Sequence, residues 1–122
     1  MSQETFLSID HVQLAMPSGQ EEKARVFYCE VMGMNEIPKP EKLASRGGAW
    51  FESGGVRLHL GVEENFRPAR KAHPAFRCRD YEALVFRLRG AGIEVREDDS
   101  VPGVRRSHIL DCFGNRIELV AD

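Results

Sequence analysis

Two short stretches of the chain are variants of one phrase. Gly55-Val56-Arg57-Leu58-His59-Leu60 and Gly114-Asn115-Arg116-Ile117-Glu118-Leu119 align without a gap as G-x-R-(Leu/Ile)-(His/Glu)-L. The variable slot holds a metal-capable side chain both times, and each phrase has a histidine upstream at nearly the same distance, His11 before His59 and His73 before Glu118. A repeat of this length limits the fold to two copies of one supersecondary unit, each burying its apolar face with the help of the other.

The order of elements fits that duplication. Alternation from Phe6 to Met16 predicts a strand. Ser18 and Glu21 have capping-box spacing, and a helix is expected to Met32 with Ala24, Phe27, Tyr28 and Val31 as its buried stripe and Gly33 as its stop. Asn35 to Pro38 reads as an edge strand, 39 to 47 as a polar loop, and Ala49 to Glu52 and Val56 to Val62 as a hairpin around Ser53-Gly54-Gly55. The second half repeats this: a strand from Ala72 to Arg79, a helix capped by Asp80 with Tyr81, Leu84, Val85 and Leu88 buried and Gly92 beyond it, then strands at Ile93 to Glu97, Arg105 to Asp111 and Arg116 to Ala121. The expected class is α+β: one domain over 1–122, with a βαβββ module at 5–63, a linker at 64–71 and a second module at 72–122. The paired modules would form a curved mixed sheet with helices on its outer face.

Composition narrows the function classes. A length of 122 residues suits one domain with its own core. The formal charge of −2 argues against a nucleic-acid surface, and no run of apolar residues approaches a membrane span. Three cysteines, Cys29, Cys78 and Cys112, suggest neither a disulfide framework nor a thiolate zinc site. Cys112 reads as packing rather than as a nucleophile. The first residues lack the character of a secretory signal, so a cytoplasmic location is expected.

Strand parity then directs the polar side chains. Val56, Leu58 and Leu60 share one face and Arg57 and His59 the other; Ile117 and Leu119 likewise oppose Arg116 and Glu118. If the halves are symmetric, His11, His59, His73 and Glu118 can converge on one surface. Imidazoles with a carboxylate suit zinc, nickel, iron, cobalt or manganese.

The chain resembles the vicinal oxygen chelate superfamily, which includes glyoxalase I, extradiol dioxygenases, methylmalonyl-CoA epimerase, fosfomycin-modifying enzymes and bleomycin-resistance proteins. Ile9-Asp10-His11-Val12, the paired modules, and Asp111-Cys112-Phe113-Gly114-Asn115-Arg116-Ile117-Glu118-Leu119 carry the resemblance. The last is similar to the family's D-P-x-G-N-x-x-E-L signature, with Cys112 where proline is usual. The resemblance implies metal ligands at His11, His59, His73 and Glu118. Three-ligand members match His11, His73 and Glu118, which leaves His59 as a fourth ligand or as a base beside the ion.

The resemblance further implies a divalent transition metal acting as Lewis acid on a small oxygen-chelating substrate, in a glyoxalase-like lyase or isomerase. Alternatives are a ring-cleaving dioxygenase, a fosfomycin-type thiol transferase and a metal-free drug binder of the bleomycin-resistance kind. Against the transferases, the sequence stops three residues past Leu119 without a basic tail, and the His59 slot is atypical. Full extradiol dioxygenases usually carry four modules. His108 is a candidate acid–base or hydrogen-bonding group. Gln13 and Trp50 are expected to line the cavity, and Arg57 and Arg106 to contact substrate. Arg105 and Arg106, with the cluster Arg67, Arg70 and Lys71, would favour an anionic substrate if they flank the ion. A symmetric homodimer with two sites is expected.

Overall fold

The computed structural model of the chain describes residues 3–122. Its first half runs β1 (Val12–Met16), α1 (Glu21–Arg25) continued by a π-helical stretch (Val26–Val31), β2 (Asn35–Ile37), a one-turn α2 (Glu41–Ala44), β3 (Ala49–Ser53) and β4 (Val56–Val62). The second half runs β5 (Ala75–Cys78), α3 (Tyr81–Gly90), β6 (Arg96–Asp98), β7 (Arg106–Leu110) and β8 (Arg116–Ala121). Each half forms a four-stranded mixed sheet, ordered β1-β4-β3-β2 and β5-β8-β7-β6, in which the first and last strands run parallel and the other pairs antiparallel. The architecture is α+β, with two βαβββ modules in tandem.

The strand registers superpose the halves residue by residue. His59 lies opposite Gln13 and Trp50; Glu118 lies opposite Ala75 and His108. Position for position, His59 therefore matches Glu118, Trp50 matches His108, and His11 matches His73.

One apolar core serves both halves. It joins Leu14, Met16, Phe51, Leu58 and Leu60 of the first sheet to Ile109, Ile117 and Leu119 of the second, with Phe27, Tyr28, Val85 and Leu88 from the helices. Each large side chain buried there contributes about 1.5–3 kcal/mol. Buried polar groups tie the halves together as well. Tyr28 donates its hydroxyl to Asp111 Oδ2 at 2.6 Å, and Asn115 Nδ2 donates to the Ala15 carbonyl at 2.8 Å. Asn115 Oδ1 accepts from the Ala69 amide, and Asp111 Oδ1 accepts from the amides of Phe113 and Asn115. Asp111 and Asn115 of the signature phrase thus satisfy one another and stitch module two to module one.

Several local expectations are corrected. The first strand begins at Val12, and Phe6 and Leu7 are 90% and 89% exposed. Val12 pairs with Leu58, so an earlier extension of β1 would soon run past the start of β4 at Val56 and find no backbone to pair with. Ser18 and Glu21 form no capping box: the helix starts after Gln20 without a side-chain cap, and Glu21 Oε2 accepts from the Gly48 amide at 2.9 Å. Gly48 has φ +85, and an added Cβ would stand 2.1 Å from the Leu60 carbonyl oxygen, so this bend at the head of β3 requires glycine.

Helix α1 changes to i→i−5 bonding in its second half, as in Met32 N to Phe27 O at 2.9 Å, before Gly33 at φ +78. Val31 is half-buried rather than part of the core. The loop at 39–47 contains the turn of α2. Asp80 occupies the N-cap position of α3 but is left-handed at φ 52 and makes no side-chain cap. The strand expected from Ile93 begins at Arg96.

Candidate metal centre

Parity places His59 and Glu118 on the sheet faces opposite the shared core, yet each is only 8% exposed. Such burial is costly for polar groups without partners, and the partners differ between the halves.

In module two, Glu118 Oε1 lies 3.0 Å from His73 Nε2 and 3.4 Å from His108 Nε2. The three side chains bring one donor atom each within 4.8 Å of one another. Glu118 Oε2 accepts from Arg106 Nη1 at 3.0 Å, which leaves Oε1 to the histidines. His73 Nδ1 lies 2.8 Å from the Lys71 carbonyl oxygen. A carbonyl only accepts, so Nδ1 carries a proton; when Nε2 carries none, its lone pair faces the carboxylate. Two acceptors at 3.0 Å require a cation or a second proton between them. This is the arrangement in which a ligand imidazole is oriented by a backbone carbonyl behind it. On the chemistry of the donor set, His73, His108 and Glu118 fit a divalent transition ion in a two-histidine, one-carboxylate site with positions left open.

Charge states agree with that use. Burial raises the Glu118 carboxyl, but its contacts with His73 and Arg106 outweigh this and hold it below the usual carboxylate range. Burial, reinforced by the Arg116 charge, lowers His108 below the ordinary imidazole value and favours a free nitrogen. Behind His108, Asp98 Oδ2 stands 3.8 Å from Nδ1.

In module one the corresponding positions form a stack. The His59 ring lies between His11, with centroids 4.1 Å apart, and Trp50, at 3.9 Å and nearly parallel. His11 Nδ1 contacts Asp10 Oδ2 at 2.9 Å, and Arg57 approaches the other oxygen of Asp10 at 3.6 Å. Burial, followed by the proximity of His11, lowers the His59 pKa.

Of the four ligands expected from the sequence, the chain brings His73 and Glu118 together and, separately, His11 and His59. His108, expected as an acid–base or hydrogen-bonding group, joins the first pair because the β7–β8 register sets it opposite Glu118. His11 and His73 both line an open cleft of about 630 Å³ between β1 and β5, as does Gln13. Trp50 stacks on His59. Arg106 is engaged by Asp98 at 2.9 Å as well as by Glu118, and Arg57 by Asp10. Among the cysteines, Cys112 is half-buried with its thiol pushed up to about 12, mainly by burial, which does not suit a nucleophile.

Paired βαβββ modules, with a histidine–carboxylate cluster on the face away from the core whose donor set could hold a metal ion, define the class of this protein. The chain belongs to the glyoxalase/bleomycin resistance protein/dioxygenase superfamily, whose profile matches residues 8–119. A glyoxalase family protein from Bacillus anthracis is 49% identical over 99% of both chains, with a TM-score of 0.95. The fosfomycin resistance protein FosX from Listeria monocytogenes is 18% identical, covering 97% of this chain and 95% of its own, with a TM-score of 0.75. Lactoylglutathione lyase from Agrobacterium tumefaciens is 19% identical over 97% and 96%, with a TM-score of 0.70. These two share the fold. A search of curated proteins returned no match. Among the described residues no helix is long and apolar enough to cross a membrane.

Proposed function

We propose that the chain is a metal-dependent, glyoxalase-like enzyme of the lyase or isomerase type, acting on a small, oxygen-chelating and anionic substrate. The observation that carries this is the His73 Nε2–Glu118 Oε1 contact, made with the Nδ1 proton already committed to Lys71. His73, His108 and Glu118 would hold the ion. Bound there, a divalent transition metal supplies Lewis acidity toward adjacent substrate oxygens.

The chain's own groups do the rest. Arg106 and Asp98 hold Glu118 and His108 in place from behind. His59 is buried and neutral near pH 7, so it is the histidine of module one suited to accept a proton; Trp50 fixes its ring plane. His11 and His59 sit on the face equivalent to that of His73 and Glu118. We place them opposite that pair across a symmetric homodimer, closing the cavity.

The test is to load metal-depleted protein with zinc, nickel, iron(II), cobalt or manganese in turn. Each form is then assayed with the methylglyoxal–glutathione hemithioacetal, a catechol and fosfomycin. Turnover of the hemithioacetal with at least one metal, and none without, is the expected result. Ring cleavage of catechol or thiol addition to fosfomycin would replace the lyase assignment, and a protein that takes up no metal would be a binder.

A further inference from the structure

The two halves differ in how they treat one arginine. Arg57 of β4 and Arg116 of β8 occupy equivalent positions, each two residues before the metal-capable slot and on the same face as it. In module one Asp10 neutralises Arg57. The position equivalent to Asp10 in module two is Ala72, and among the described residues Arg116 has no carboxylate partner. A half-buried guanidinium without the carboxylate that its twin has is open to another anion.

The surroundings of Arg116 form a cavity of about 530 Å³, lined by Arg70, Arg96, Glu94, His108, Ile93 and Leu110 among others. Arg96 is paired with Glu94 at 2.9 Å. Arg70 has no carboxylate partner among the described residues; its Nε donates to the Gly114 carbonyl at 2.9 Å, and Arg116 Nη1 donates to the Arg70 carbonyl at 3.4 Å. Backbone carbonyls thus hold both side chains while the remaining N–H groups of each stay available. Arg116 lies two residues from Glu118 on one strand, roughly 6.6 Å along it. His108 belongs to both the cavity and the donor cluster. Arg106, by contrast, is committed to Asp98 and Glu118.

We propose that Arg116 and Arg70 form a subsite for the anionic group, a carboxylate or phosphonate, of a substrate whose chelating oxygens reach the His73–His108–Glu118 cluster. Ile93 and Leu110 give that substrate's short carbon body an apolar wall. The inference rests on the metal-site reading for its geometry, but anion binding itself needs no metal, so the two fail separately.

The experiment is titration of metal-free protein with methylphosphonate and, in a second arm, with lactate, followed by NMR of the arginine side-chain N–H signals. Saturable shifts at Arg116 and Arg70 are expected with at least one anion; the arm that binds more tightly identifies the group. Arg116→Ala and Arg70→Ala should each weaken binding about ten- to a hundred-fold, as the loss of a charge-assisted hydrogen bond does. Ala72→Asp, which recreates in module two the partner of Arg57, should abolish binding with both guanidiniums retained. Arg46→Ala, the same change of charge elsewhere on the surface, should leave it unchanged. Wild-type protein that saturates with neither anion, an Arg116→Ala protein that binds as wild type does, or an equal loss in Arg46→Ala would overturn the proposal.

Discussion

Tyr28 and Asp111 are 83 residues apart in sequence, one on the helix of module one and the other at the end of β7 in module two, and they share a 2.6 Å hydrogen bond inside the core. Both are buried. Burial first, then the Asp111 charge, raises the Tyr28 phenol well above its ordinary value, so it remains a donor throughout the physiological range. Tyr28→Phe removes a bond to a charged acceptor and should cost about 1.5–3 kcal/mol. Urea unfolding should show that loss, with metal content per folded chain unchanged. A stability equal to wild type would mean that the bond does not hold the modules together.

The aromatic stack sets the basicity of His59. Desolvation is the leading cause of its lowered pKa, and Trp50 covers one ring face. Trp50→Ala should therefore move the His59 pKa up toward 6.5, read by NMR titration of the imidazole signals, and should also cost about 0.5–1.5 kcal/mol of stacking. An unmoved His59 would show that Trp50 is not what shields it.

Acid should destabilise the metal-free protein as the pH falls below 6.5. His59 and His108 have folded-state values below 6.5, so as pH falls through 6.5 the unfolded chain takes up protons that the folded chain refuses. Stability is retained above 6.5 and declines toward each folded pKa. Glu118, whose folded pKa is below 4.5, adds a second loss under more acid conditions. The urea midpoint should be lower at pH 5.5 than at pH 7.5, and the difference should shrink in a His59→Gln, His108→Gln double variant. A midpoint that rises on acidification would reverse the assigned signs.

Gly48 offers a steric test of the bend that leads into β3. With a left-handed φ and the Leu60 carbonyl where a Cβ would stand, Gly48→Ala should cost well over the roughly 1–3 kcal/mol of backbone strain alone. Gly54, also left-handed but with open space around it, should be milder on substitution. Equal thermal stabilities for the two alanine variants would contradict this.

The duplicated phrase carried most of the fold. Its alignment anticipated the equivalence of the two halves and which faces of β4 and β8 are buried, because a period of two puts Leu58 and Leu60, and likewise Ile117 and Leu119, on one face. Local chemistry misled where tertiary partners competed for the same groups. Glu21 has capping-box spacing, but the Gly48 amide takes its carboxylate. The alternation at Phe6 to Val12 is that of a strand with nothing beside it. In the site, parity put His59 and Glu118 on the expected faces. It could not say that Trp50 would hold His59 in a stack, or that His108 would turn toward Glu118. Those outcomes depend on strand pairings between segments distant in sequence. That Arg116 has no carboxylate partner among the described residues follows from Ala72 standing where its twin has Asp10, a difference the repeat contains but whose meaning needs the contact between Asp10 and Arg57.

The cation between His73 and Glu118 is the central claim, and metal stoichiometry tests it most directly. Purified protein, depleted and reloaded with each ion, should bind one equivalent of a transition metal per chain by elemental analysis. His73→Ala and Glu118→Gln should bind none while keeping the wild-type circular dichroism spectrum. Wild-type protein that stays metal-free after reloading, or either variant that retains a full equivalent, would contradict the account.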